Sequence, residues 1–174
     1  MAKGRRLAAP QGQTTRPMQD RVKEAVFSSL GTEVAGADVL DLYAGTGSMG
    51  LEALSRAAAS CVFVENDRRA LAALNTNVTA VGLGGAVQSI DVARFVKTRA
   101  GGPYDLVFVD PPYDLELASV EAVLIDLCAI LKEGATVVVH RRKGEPAPKA
   151  PGLLLVDERT YGSAHLWRFE KDLA

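Results

Sequence analysis

Cysteine is scarce in this 174-residue chain: there are two, Cys61 and Cys128. Both lie inside apolar runs without metal-ligand spacing, which excludes a disulfide framework and reads as small buried hydrophobes. Aromatic residues make up 6%. The net charge is -1, so no global basic field announces a nucleic-acid partner, and any such partner must be met by a local patch. No apolar run approaches the ~18 residues of a membrane span and no secretory leader is visible, so no membrane is expected and the cytoplasm is the expected compartment. There is no internal repeat. The two histidines, His140 and His165, have no Ser, Cys or second His at useful spacing, so neither a hydrolytic triad nor a metal site is expected. What the chain does have is a globular balance, 48% hydrophobic and 24% charged, enough for one domain with a full core.

Residues 1–17 stand apart. Lys3, Arg5, Arg6 and Arg16 lie among Gly, Pro, Gln and Thr with no acid. Such a segment is either a flexible basic arm that neutralises phosphates or a solvated tail with a chance charge excess. Residues 18–174 read as a single domain. Val22, Ala25, Val26 and Leu30 recur at helical spacing, flanked by Phe27, and predict a helix over 18–30 with Gly31 as its stop.

Seven strands are expected beyond it. Val39-Leu40-Asp41-Leu42 is a buried-type strand that runs into Tyr43-Ala44-Gly45-Thr46-Gly47 and a helix reaching about Ala58. Gly45, Gly47 and Gly50 match G-x-G-x-x-G in its strand–turn–helix setting, which points to a nucleotide-type ligand. Asp41 beside the turn would repel a pyrophosphate and attract an ammonium or sulfonium, which favours S-adenosylmethionine over NAD. It could equally bond the backbone amides of the turn. Cys61 to Glu65 forms the second strand, and Glu65 stands about 20 residues beyond Gly45, where an acid grips ribose hydroxyls. Asn66 and Asp67 follow; Asp67 is a fair N-cap for a helix to about Ala80 with Leu71, Leu74 and Val78 inward. Asn75 and Asn77 on that helix are expected at the surface. Ala86 to Ile90 is a third strand. Asp91 after it is either an acceptor for an adenine amino group or the N-cap of the helix holding Phe95 and Val96.

The fourth strand, Tyr104 to Val109, ends in Asp110-Pro111-Pro112-Tyr113. Two prolines fix φ and remove two backbone donors, so the chain leaves the sheet in a stiff turn. A carboxylate and a carbonyl are both acceptors, suited to the two donors of an exocyclic amino group, and Tyr113 offers a ring for a base to stack on. The plainer reading is a strand terminator. A helix is expected over 117–131, closed by Gly134, then a fifth strand, Ala135 to His140, and a basic cluster, Arg141, Arg142 and Lys143. Leu153–Val156 and Ala164–Phe169, joined through Tyr161-Gly162, should pair antiparallel. Helices alternating with strands predict an α/β fold: a mostly parallel sheet covered on both faces with an antiparallel C-terminal hairpin.

Asp41 to Gly47, Glu65 and Asp110 to Tyr113, in this order, resemble a class I S-adenosylmethionine-dependent methyltransferase with its Rossmann-like seven-stranded fold. Gly4-Arg5-Arg6-Leu7, Thr15-Arg16-Pro17 with Asp20-Arg21 and Glu24 to Phe27, Gly50 to Arg56, and Tyr161-Gly162 resemble the RsmD family, bacterial 16S ribosomal RNA guanine-N2 methyltransferases. Met18 departs from the Thr usual in that family. The resemblance implies that Tyr43, Ala44, Gly45, Thr46 and Gly47 cradle the methionine part of S-adenosylmethionine with Asp41 at its charged end. It implies further that Glu65 holds the ribose, Asn66 or Asp67 borders the adenine and Asp91 bonds its amino group. The target guanine would stack on Tyr113 and place N2 against Asp110 and the Pro111 carbonyl, with Pro112 stiffening the turn. Arg5, Arg6, Arg16, Arg21, Arg141, Arg142 and Lys143 are the candidates for RNA phosphate. The implied partner is 16S ribosomal RNA in a small subunit or assembly particle, and the protein itself is expected to be a monomer. An adenine-N6 methyltransferase, an NAD-dependent oxidoreductase and a non-catalytic ribosome-assembly module are the rival readings.

Overall fold

The computed structural model describes residues 7–8 and 17–173. Strands β1 (Asp38–Leu42), β2 (Ser60–Glu65), β3 (Ala86–Ser89), β4 (Tyr104–Val109), β5 (Leu131–Arg142), β6 (Leu153–Tyr161) and β7 (Ala164–Lys171) form one seven-stranded sheet in the order β3-β2-β1-β4-β5-β7-β6. The first five strands are parallel. β7 runs antiparallel to both β5 and β6, which is the expected hairpin.

Strands in the middle of such a sheet are covered on both faces, so they read as unbroken apolar runs. Their alternate residues still go to opposite sides. Val107 and Val109 join one core with α4 (Val92–Thr98) and α5 (Leu117–Leu127). Leu106 and Phe108 join the other with α1 (Pro17–Leu30), α2 (Ser48–Ser55) and α3 (Arg68–Val81). Each fully buried aliphatic or aromatic side chain contributes about 1.5–3 kcal/mol relative to exposure. Phe27 is one of them: it is 1% exposed and packs at 5.5 Å on the Phe108 ring, so it belongs to the core stripe it was expected only to flank.

Several boundaries differ from the sequence expectation. α2 stops at Ser55, short of Ala58, because Ala57 adopts a left-handed φ of 68° and the chain must turn at once into β2. The helix expected over 117–131 ends at Leu127, followed by a short 3-10 turn, and Leu131 already belongs to β5. Gly134 therefore does not close a helix. It lies inside β5 at φ 71°, where the β4–β5 register jumps from Tyr104↔Leu131 to Leu106↔Thr136; glycine lets the longer strand bulge there. Among the described residues no helix is long and apolar enough to cross a membrane.

Candidate active site

In the strand order the direction of winding reverses between β1 and β4. Ligands of open α/β sheets bind at that reversal, beyond the carboxyl ends of the strands. Leu42 pairs with Val109 and Val64 in the adjoining ladders, so the ends of β2, β1 and β4 are level. Asp91, Glu65, the turn after Leu42, Asp110 and His140 thus follow one another along one edge. With ~4.8 Å per strand, the row from β3 to β4 spans about 14 Å, the reach of an extended nucleoside–amino-acid conjugate.

The glycine turn is built for close packing. Gly47 is left-handed at φ 85°, and a Cβ there would stand 2.6 Å from Leu74 Cδ1. A Cβ on Gly50 would meet Phe63 Cε1 at 2.4 Å and Cys61 Sγ at 2.6 Å, so the third glycine is what lets α2 lie on β2. Above Gly45 the space is open: a Cβ there meets nothing within 4 Å. Tyr43 holds a left-handed φ of 58°, and burial, helped by Asp91 and opposed by Arg141, pushes its phenol up to about 12.

Asp41 fulfils the second of its two readings. It is 2% exposed, and Oδ2 accepts from the Gly50 N–H at 2.9 Å. Burial first, then Asp110 and Glu65, hold its carboxyl well above the ordinary range, with the Gly50 bond opposing. Through the Gly50 bond Asp41 braces the turn from beneath. Glu65 is tied to the same loop. Oε2 accepts from Gly45 N at 2.8 Å, and Oε1 from Asn66 N and Asp67 N, each at 2.9 Å. Those bonds use three of its roughly four lone-pair positions, leaving Oε2 one position for a hydroxyl. Asp67 caps α3 through Ala70 N, and Asp91 caps α4 through Oδ1 and Arg94 N, which leaves Asp91 Oδ2 outside the cap.

The Asp-Pro-Pro-Tyr turn starts in register with β1, since Asp110 N donates to Leu42 O at 3.4 Å. The Asp110 carboxylate is 51% exposed and Tyr113 is 41% exposed, so an acceptor and a ring face outward together. The Pro112 carbonyl is not available, because it accepts from Leu115 N and from Arg141 Nη1 at 2.8 Å. The Pro111 carbonyl has no protein partner among the described residues.

Two residues were misplaced by sequence reasoning. Arg141 was grouped with Arg142 and Lys143 as a phosphate-binding cation. Its side chain is 2% exposed and paired with Glu145 at 2.7 Å, and Nη2 donates to Leu115 O at 2.7 Å. Buried and with three of its five N–H donors spent on Glu145, Pro112 and Leu115, Arg141 does not present a cation to the surface; in a basic run, alternation along a strand had placed one member inward. Arg142 and Lys143 are exposed, and the Arg142 guanidinium lies 4.9 Å above the Tyr113 ring. Asn77, expected at the surface, is 3% exposed. It donates to Thr46 O and Ala8 O and accepts from Ala8 N. Its helical phase, one residue before Val78 and three after Leu74, was the available signal. His140, set aside for lack of catalytic partners in sequence, brings Nδ1 to 2.9 Å from Asp110 Oδ1. Arg21 is exposed on α1; Arg5, Arg6 and Arg16 lie outside the described residues.

The reversed β7 between β5 and β6 separates this sheet from the dinucleotide-binding order 3-2-1-4-5-6, and with it from the NAD reading. The fold is that of the Rossmann-like methyltransferases: solved Escherichia coli yhhF superposes with a TM-score of 0.86, at 31% identity, covering 98% of this chain and 94% of that one. Residues 1–170 match the family described as conserved hypothetical protein 95, and the chain belongs to that family, the RsmD family whose resemblance the motifs carry. Ribosomal RNA small subunit methyltransferase D of Escherichia coli (strain K12) is 34% identical over 149 residues, 86% of this chain and 75% of the relative. The protein of the same name from Haemophilus influenzae is 32% identical over 164 residues, 92% of this chain and 85% of the relative.

Proposed function

We propose that this protein transfers the methyl group of S-adenosylmethionine to the exocyclic N2 of a guanine in 16S ribosomal RNA. The observation that carries the reading is the outward-facing pair of Asp110 and Tyr113 at the reversal of the sheet, beside an open glycine turn. Its relatives' names supply the substrate class, small-subunit ribosomal RNA.

The residues present fit the cofactor. Open space above Gly45 admits its amino-acid end against the Tyr43–Gly47 backbone. Glu65 offers one lone-pair position toward the ribose, and Asp91 Oδ2 is an acceptor for the adenine amino group, with Asn66 and Asp67 alongside. When bound, the sulfonium supplies an electrophilic methyl, so the protein's task is alignment. Asp110 and the Pro111 carbonyl each accept one N2 hydrogen, which turns the nitrogen lone pair out of the plane of the base; Asp110 then takes the proton that N2 loses. Tyr113 holds the flipped base by stacking. Arg142, Lys143, Arg21 and the basic arm of residues 1–17, with Arg5, Arg6 and Arg16, contact phosphate. We propose the same arm-and-domain division, a monomer in the cytoplasm, and a structured RNA–protein particle as the substrate.

The test is to supply small ribosomal subunits lacking base methylation together with tritiated S-adenosylmethionine, digest the RNA and identify the labelled nucleoside. Label in N2-methylguanosine supports the reading, and label in N6-methyladenosine overturns the substrate. Asp110→Ala is expected to keep cofactor affinity and to lose about 100-fold or more in transfer rate.

A further inference from the structure

Asp110 has a neighbour that the proposed chemistry leaves unused. β5 lies beside β4, and His140 near its end reaches the carboxylate, Nδ1 to Oδ1, at 2.9 Å. The imidazole is 21% exposed against 51% for the carboxylate. Tyr113 meets the ring edge-on, with centroids 6.1 Å apart and planes at 79°. Nε2 is buried and has no partner among the described residues.

These contacts fix the tautomer. A carboxylate only accepts, so the proton of a neutral imidazole must sit on Nδ1, and Nε2 is left as a lone pair. The alternative neutral tautomer would leave Nδ1 facing the carboxylate as a second acceptor and bury an unpaired N–H at Nε2. His140 therefore donates to Asp110 through Nδ1–H.

We infer that His140 is a positioning residue for methyl transfer: its Nδ1–H holds Oδ1 of Asp110 and so directs the other carboxylate oxygen at the exocyclic amino group of the base. This rests on the reading of the pocket as an amino-directed methyltransferase site. The last torsion of an aspartate is broad, and a half-exposed carboxylate turns freely among water orientations. Clamping one oxygen leaves the other as the acceptor when the N2 lone pair forms the bond to the methyl carbon. The carbon–sulfur pair then stays on sulfur as a neutral thioether, and the N2 proton passes to that free oxygen and on to solvent. His140 touches none of the reacting atoms.

Two variants separate the role from bulk packing. His140→Phe keeps a ring and removes the donor; His140→Asn keeps an N–H near the place of Nδ1 and removes the ring. In the small-subunit assay, His140→Phe is expected to lower kcat by about 10- to 100-fold, the range set by misplacing a catalytic group. Its KM for RNA and its calorimetric affinity for S-adenosylmethionine should stay within about twofold, and His140→Asn should recover most of kcat. Equal kcat in wild type and His140→Phe overturns the inference, as does a His140→Asn protein as slow as His140→Phe, or a loss confined to KM. Should His140→Phe fail to fold, His140→Ala carries the same expectation. Wild-type protein that binds the cofactor yet transfers no methyl group overturns the underlying reading, and the role of His140 with it; active wild type beside an equally active His140→Phe overturns the positioning role alone.

Discussion

The side-chain amide of Asn77 donates to the Thr46 carbonyl at 2.9 Å. The same Nδ2 donates to Ala8 O at 3.0 Å, and Oδ1 accepts from Ala8 N. One buried residue on α3 thus ties the segment at residues 7–8 to the glycine turn. Asn77→Ala removes all three bonds and leaves the Thr46 carbonyl without this donor. The expected cost is about 1–3 kcal/mol, a fall of roughly 2–4 °C in Tm per kcal/mol, accompanied by weaker binding of S-adenosylmethionine. Calorimetry of both quantities checks it, and a variant unchanged in each would show that the tie is idle.

Gly50→Ala tests the packing of α2 on β2. The new methyl would stand 2.4 Å from Phe63 Cε1, 2.6 Å from Cys61 Sγ and 3.1 Å from Asp41 Oδ2, so the helix has to move. Overpacking of this kind costs about 1–3 kcal/mol. The expected result in urea is a lower midpoint with an unchanged slope; an unchanged midpoint would mean that the interface has slack.

The two adjacent arginines should behave differently. Arg142→Gln is expected to weaken RNA binding at low salt and to reduce the dependence of log K on log salt by about 1, as for loss of one phosphate contact. Arg141→Gln should leave that slope unchanged while lowering the transfer rate, because it frees the Pro112–Leu115 loop from its clamp. Filter binding across a salt series discriminates them, and equal slopes for both variants would count against the assignment.

Asp41 makes a pH prediction. Its carboxyl holds a proton more tightly in the folded chain than in the unfolded one, chiefly through burial. Stability from such a group is complete below ~4, the unfolded value, and is lost as pH rises through the raised folded value. Asp41→Asn stays neutral and keeps an acceptor for Gly50 N, so it should lack this loss. Urea unfolding at about pH 4 and about pH 8 is expected to show the variant gaining on wild type at the higher pH. A constant difference between the two proteins would refute the buried-carboxyl account.

The sheet, its antiparallel hairpin and the turn residues were legible along the chain, because they depend on local signals. Apolar runs give strands, three glycines give the turn, and two prolines give the exit after Asp110. The strand order, the pairing of Asp110 with His140 across 30 residues and the inward turn of Arg141 were not legible. They depend on which strand lies beside which, and no local pattern records that. Asp41 shows the same division within one residue. Its place beside the glycine turn was plain in the sequence, but the upward shift of its carboxyl arises only when folding seals it at 2% exposure beneath α2, where burial outweighs the opposing bond from one backbone N–H.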